Sequence, residues 1–208
     1  MNAQDLPDTL SFLTNRSSYA AMRDCIRKKD VEGFKRVFDQ IRKQTPLDDN
    51  THQDLLQLAT NHGSLACFQE LQPYVAEPTV YSEALNTAAR NGHLDLVQHI
   101  EPLMDEYSKE EALWMAVLYD QRGVVDFLLP LCNPKNQSSK FLGAAVFQGY
   151  QELVELLYPL STPKDALRYL KRKTPDQPEK WEMLEQRILR EQLKAVTPQN
   201  RPSKRSKI

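Results

Sequence analysis

Small and apolar residues recur in pairs through the middle of this chain. Between Tyr81 and Asn91 they fall at Ala84, Leu85, Ala88 and Ala89, the i, i+1, i+4, i+5 spacing that draws one stripe along a helix. Gly92 follows and predicts the end of that helix, because glycine enters the left-handed conformation of a C-terminal cap without steric cost. A second helix is predicted from about His93, with Leu94, Leu96, Val97, Ile100 and Leu103 as its buried side and Pro102 in its last turn. Polar residues including Asp105 and Ser108 then lead onward. Small alanines let the first helix approach its neighbours, and the larger aliphatics of the second fill the space behind.

The pattern repeats. Pro73, Pro102, Pro130 and Pro159 are separated by 29, 28 and 29 residues, and aligning on them brings four segments into register. A period of this length signals stacked supersecondary units, none of which buries its apolar faces alone. Helix pairs are predicted at 51–62 with 64–74, 81–91 with 93–103, 109–119 with 122–131, and 137–148 with 150–160. Gly63 and Gly149 occupy the place of Gly92, whereas the fourth copy carries Asp120 there, so its hinge is expected to be built differently, around Gly123. A worn first copy runs from Ser18 to Lys29, with Ala21, Met22 and Cys25 on one side, and on through Asp30–Phe38. A polar loop over 44–50 separates it from the next.

Downstream, Thr162-Pro163 opens a helix bearing Ala166, Leu167 and Leu170. A proline-containing link then precedes a charged helix over about 178–195, with Trp181, Leu184, Ile188 and Leu189 on one side. One apolar face and one wet face describe a terminal cap. The expected architecture is all-α: a solenoid of stacked helix pairs, about five repeats plus a C-terminal capping helix. Residues 1–14 form an N-terminal arm, 15–196 the repeat domain with its cap, and 197–208 a disordered basic tail.

The strings AARNGHLDLVQHI and LATNHGSLACFQEL resemble the second half of an ankyrin repeat, with its A-A-x-x-G-H-L-x-x-V-x-x-L pattern. The resemblance covers roughly residues 15–175 and recurs in register four times. The family's T-P-L-H segment is replaced by DLLQ (54–57), EALN (83–86), EALW (111–114) and KFLG (140–143). The period is also shorter than the family's, which is about 33 residues. Both departures fall where the family builds its β-hairpin finger, so the fingers are expected to be reduced or absent. Short repeats of this kind are similar to those of divergent ankyrin proteins from bacteria living inside eukaryotic cells, including secreted effectors.

The resemblance implies binding of one protein partner on a concave side, formed by the first helices and the loops before them. The two positions after each small pair would face it: Asn61/His62, Arg90/Asn91, Leu118/Tyr119 and Phe147/Gln148. Mid-array these turn apolar and aromatic, and Trp114 replaces the family histidine. Clustered aromatics are candidate hot spots. Trp114, Leu118, Tyr119 and Phe147 are therefore the expected contact patch, with Arg90 and Asn61 as polar rim. A competing reading buries Trp114, Leu118 and Tyr119 as substitute core beneath the altered hinge.

Composition narrows the alternatives. The 208 residues carry a formal net charge of −1, so the whole molecule is no electrostatic binder of nucleic acid. A basic end remains as the alternative nucleic-acid surface: Lys164, Arg168, Lys171, Arg172 and Lys173, with the tail residues Lys204, Arg205 and Lys207 as a nuclear-import or phosphate-contacting run. Cys25, Cys67 and Cys132 lack metal-ligand spacing, and Cys67 falls at the place of Leu96, Val124 and Leu153, which reads as a small buried hydrophobe. The four histidines His52, His62, His93 and His99 are scattered, and no metalloprotease motif, nucleophile elbow or phosphate loop occurs. No catalytic residue, metal or cofactor is expected, nor any membrane span, and a monomer is expected. The N-terminus lacks a basic-then-apolar signal pattern. The expected location is cytoplasmic, or a host cell reached without such a signal, with nuclear entry through the tail.

Overall fold

The computed structural model describes residues 6–44, 47–132 and 138–196. The chain is all-α, with twelve α-helices and no β-strand among the described residues. The chain forms two compact units, Met1–Cys132 and Asn133–Ile208.

The first unit holds four helix pairs: α1 (Leu6–Lys28) with α2 (Val31–Gln44), α3 (Asp49–Asn61) with α4 (Leu65–Leu71), α5 (Pro78–Asn91) with α6 (Leu94–Ile100), and α7 (Glu106–Leu118) with α8 (Arg122–Leu128). First helices pack in succession, α1 on α3, α3 on α5 and α5 on α7. The small residues explain the closeness: Ala59, Ala84, Ala88, Ala89, Ala112 and Ala116 are all fully buried. Phe34, Phe68, Leu71, Leu96 and Ile100 on the second helices fill behind them and are also fully buried. Cys67, Leu96 and Val124 occupy one position in three successive pairs and are at most 1 % exposed. Helix α1 begins at Leu6, inside the stretch read from sequence as an arm.

Proline sets where the second helices stop. Its ring clashes with the carbonyl four residues back and it has no N–H to donate, so α4 and α6 close in tighter 3-10 turns, Gln72–Tyr74 and Glu101–Leu103. Asp48 and Asp105 start α3 and α7 by accepting from the Thr51 and Ser108 amides, each at 2.9 Å. Leu103 departs from the expected buried stripe. It lies beyond the last α-helical turn, just before the extended Met104, and is 54 % exposed.

The hinges are alike. Gly63 and Gly92 take φ of 64° and 75°. Asp120 takes the same conformation at φ 56°, and Gly123 sits inside α8. The expected altered hinge is therefore absent: a short polar side chain tolerates the left-handed region well enough to serve. Lys29 does the same at φ 56° in the first pair, with less to compensate it. A left-handed lysine costs about 1–2 kcal/mol, partly offset by the entropy glycine adds to the unfolded chain. Lys29→Gly is expected to stabilise the protein by about 0.5–1 kcal/mol on those two terms. A urea midpoint that falls would refute this.

The second unit contains α9 (Ser138–Gln148), α10 (Gln151–Leu157), α11 (Pro163–Lys173) and α12 (Glu182–Val196). Gly149 provides the turn between α9 and α10 at φ 80°. Helix α11 packs on α9, where a Cβ at Gly143 would stand 2.9 Å from the Tyr169 ring; the missing side chain permits that approach. Leu184 and Ile188 of α12 are buried, whereas Leu189, expected beside them, is 52 % exposed. One residue on from Ile188 is a 100° rotation, enough to leave the packed face.

Candidate functional site

In the first unit the C-terminal ends of the first helices are tied across neighbouring pairs. The Asn61 carbonyl accepts from Asn91 Nδ2 at 3.3 Å and lies 3.1 Å from His93 Nε2. One pair further, the Arg90 carbonyl accepts from Gln121 Nε2 at 3.0 Å. His93 and Gln121 hold the same position, the residue that opens the second helix. Each reaches back to the preceding pair and satisfies a carbonyl that the helix end leaves open. A second set of contacts runs lower down, with Gln57 Nε2 donating to Thr87 Oγ1 at 3.0 Å and Ser82 Oγ to Ser108 Oγ at 3.3 Å.

Asn61 is exposed and Arg90 half-buried. Asn61 also borders a shallow depression with Tyr19, Arg23, Asp54, Gln57 and Leu58. On α7, Trp114 and Leu118 are half-buried, and Tyr119, the residue capping that helix, is 51 % exposed. The sequence offered two readings of this group, contact patch or substitute core. The structure splits them: Ala112, Leu113, Ala116 and Val117 make the core, while Tyr119 stands in solvent at the helix end.

Phe147 belongs to the second unit. It is half-buried at the end of α9 and lines a groove with Val146, Val154, Met183, Leu184 and Arg187. The Lys180 ammonium sits over its ring, 5.1 Å from the centroid, so one face of Phe147 is already covered. Nearby, Arg187 makes two bonds to Glu155 at 2.6 and 2.9 Å and lies 3.9 Å over the Tyr158 ring. Tyr158 donates to Glu191 at 2.8 Å. Burial first, then that bond and the Glu191 charge, push the Tyr158 hydroxyl up to about 12.

Of the basic end, Lys171 is held by Glu185 at 2.7 Å and by the Trp181 ring at 4.4 Å, and Arg168 pairs with Asp165 at 2.8 Å. Lys164, Arg172 and Lys173 are exposed. Lys204, Arg205 and Lys207 lie outside the described residues. Burial raises the thiols of Cys67 and Cys132, the latter to about 11, which keeps them protonated and unreactive. Among the described residues no cluster of three His, Cys, Asp or Glu side chains is placed to hold a metal ion, and no helix is long and apolar enough to cross a membrane. No family model, curated protein or solved structure matches the chain.

Two features escape sequence reasoning. The Lys180–Phe147 contact joins residues in unrelated segments, with no pattern to announce it. The Gln121 tie had a signal: it occupies the His93 position one period later.

Proposed function

We propose that the chain is a non-catalytic protein-binding module, a divergent ankyrin-type stack that holds one partner protein against the C-terminal ends of its first helices. The observation that carries this reading is Tyr119: a large aromatic half in solvent, next to half-buried Trp114 and Leu118, on a helix end fixed by the Gln121 tie. Rigid aromatics beside a packed scaffold are what binding hot spots are made of. Asn61 and Arg90 supply the polar rim, their carbonyls already engaged and their side chains left for a partner. Phe147, half-buried in the second unit with Lys180 over its ring, is a separate candidate contact, tested on its own. Capture of a host protein by an effector, to recruit or inhibit it, is the role the ankyrin resemblance suggests.

The basic-end alternative, a nucleic-acid-associated or nuclear adaptor, has weaker support because Arg168 and Lys171 are committed to carboxylates. Affinity capture with the intact protein, followed by titration of the recovered partner, tests the proposal. Tyr119→Lys is expected to weaken binding by at least about tenfold, the loss of one hot spot, with the fold unchanged because the side chain is exposed. Phe147→Ala should weaken it less. Undiminished affinity in Tyr119→Lys removes the face of the first unit from consideration.

A further inference from the structure

Three large apolar side chains of the first unit stand in solvent at the other end of α7: Leu103 at 54 %, Tyr107 at 66 % and Leu131 at 47 % exposed. Leu103 and Leu131 hold one position in successive pairs, each directly after the periodic proline. Single exposed leucines are ordinary. The same residue exposed in consecutive layers, with a tyrosine four residues after the first, makes a ledge rather than an accident. Tyr107 and Tyr119 lie at opposite ends of α7, about 18 Å apart along its axis at 1.5 Å per residue. This ledge is therefore not the face invoked above, and the inference does not depend on that reading.

Its charge is one-sided. The segment from Glu101 to Glu111 carries Glu101, Asp105, Glu106, Glu110 and Glu111 against a single cation, Lys109. That cation is already matched, its Nζ 2.5 Å from Glu101 with both side chains at most 20 % exposed. Glu111 accepts from the Tyr107 hydroxyl at 2.9 Å, which holds the ring at the ledge. At Cys132, next to Leu131, Glu110 acts after burial to raise the thiol, Lys109 to lower it, and Glu106 and Glu101 to raise it. Three carboxylates of this segment against its one cation thus act on the closing turn that carries Leu131.

We propose that this ledge docks a basic, amphipathic segment of a partner protein, whose apolar side chains rest on Leu103, Tyr107 and Leu131 while its lysines or arginines face the surrounding carboxylates. Apolar contact supplies the affinity and charge complementarity selects the segment and speeds its arrival. A neutral or acidic segment would meet repulsion without compensating contacts.

Fluorescence anisotropy with the full chain and three synthetic peptides of equal length tests this: an amphipathic Leu–Lys peptide, a Ser–Lys peptide of the same charge, and a Leu–Glu peptide. The Leu–Lys peptide is expected to bind at least about tenfold tighter than either control. That advantage should vanish in Leu103→Ser/Leu131→Ser, fall in Glu106→Lys and persist in Tyr119→Lys. Far-UV circular dichroism confirms the fold of each variant, which exposed positions should leave intact. Equal binding of the Leu–Lys and Ser–Lys peptides, or undiminished binding by the double-serine variant, overturns the proposal. So does tighter peptide binding after deletion of residues 197–208, which would make the chain's own basic tail the occupant.

Discussion

Alanine in place of Phe68 is expected to destabilise the first unit by about 3–5 kcal/mol, the range for emptying a fully buried aromatic site. Phe68 is fully buried on α4, yet its ring is shared with the next pair. It meets Tyr81 of α5 edge-on at 6.3 Å and His99 of α6 at 5.9 Å. Both partners are pinned. Tyr81 donates to the Gln72 and Val75 carbonyls at 3.0 and 2.6 Å, and His99 Nε2 lies 2.8 Å from Gln72 Oε1. Neither ring is free to collapse into the vacated space, which places the cost towards the upper part of the range. Domains have only about 5–15 kcal/mol in reserve. In a stack held by nearest-neighbour contacts the loss should concentrate at that junction. Urea unfolding gives the magnitude, and hydrogen exchange should show the amides of α4 and α5 losing protection first. A change below about 1 kcal/mol, far under the aromatic-to-alanine range, would mean that the ring does not bridge the two pairs.

The helix pairs were legible because the apolar stripes, the terminal glycines and the periodic prolines are local signals that agree with one another. Ala84, Leu85, Ala88 and Ala89 need nothing but helical periodicity to be placed in a core. The failures share a cause: each depends on something the repeat does not encode. Asp120 adopts the left-handed turn that glycine usually marks, so the missing glycine suggested an altered hinge that is not there. Leu103 and Leu189 satisfy the spacing rule but lie at an element's end or one rotation off its packed face. At the candidate site, Tyr119 was legible as an aromatic at a position usually polar. The covering of Phe147 by Lys180 was not, because it is made by a link outside the repeat.

Gly92→Ala is expected to cost about 2–3 kcal/mol, the sum of a left-handed alanine and a displaced cross-pair hydrogen bond. At φ 75° the alanine is strained wherever its methyl points. Here the methyl would also run into the Gln121 side-chain amide, the group whose Nε2 donates to the Arg90 carbonyl at 3.0 Å. The glycine thus serves twice, for its backbone angle and for the passage it leaves. These contributions separate experimentally. Gly149 has φ 80°, and a Cβ there would meet nothing within 4 Å among the described residues, so Gly149→Ala should show the strain alone, about 1–2 kcal/mol. In a Gln121→Ala background, Gly92→Ala should likewise fall to the strain term, giving a coupling of about 1 kcal/mol in the double-mutant cycle. Equal costs at Gly92 and Gly149 would show that the crossing amide is not what the glycine protects. The outcome bears on binding as well as stability, because Gln121 ties down the turn that carries Tyr119. A glycine that keeps its passage open also keeps the exposed aromatic at a fixed place, sparing a partner the entropy of ordering it.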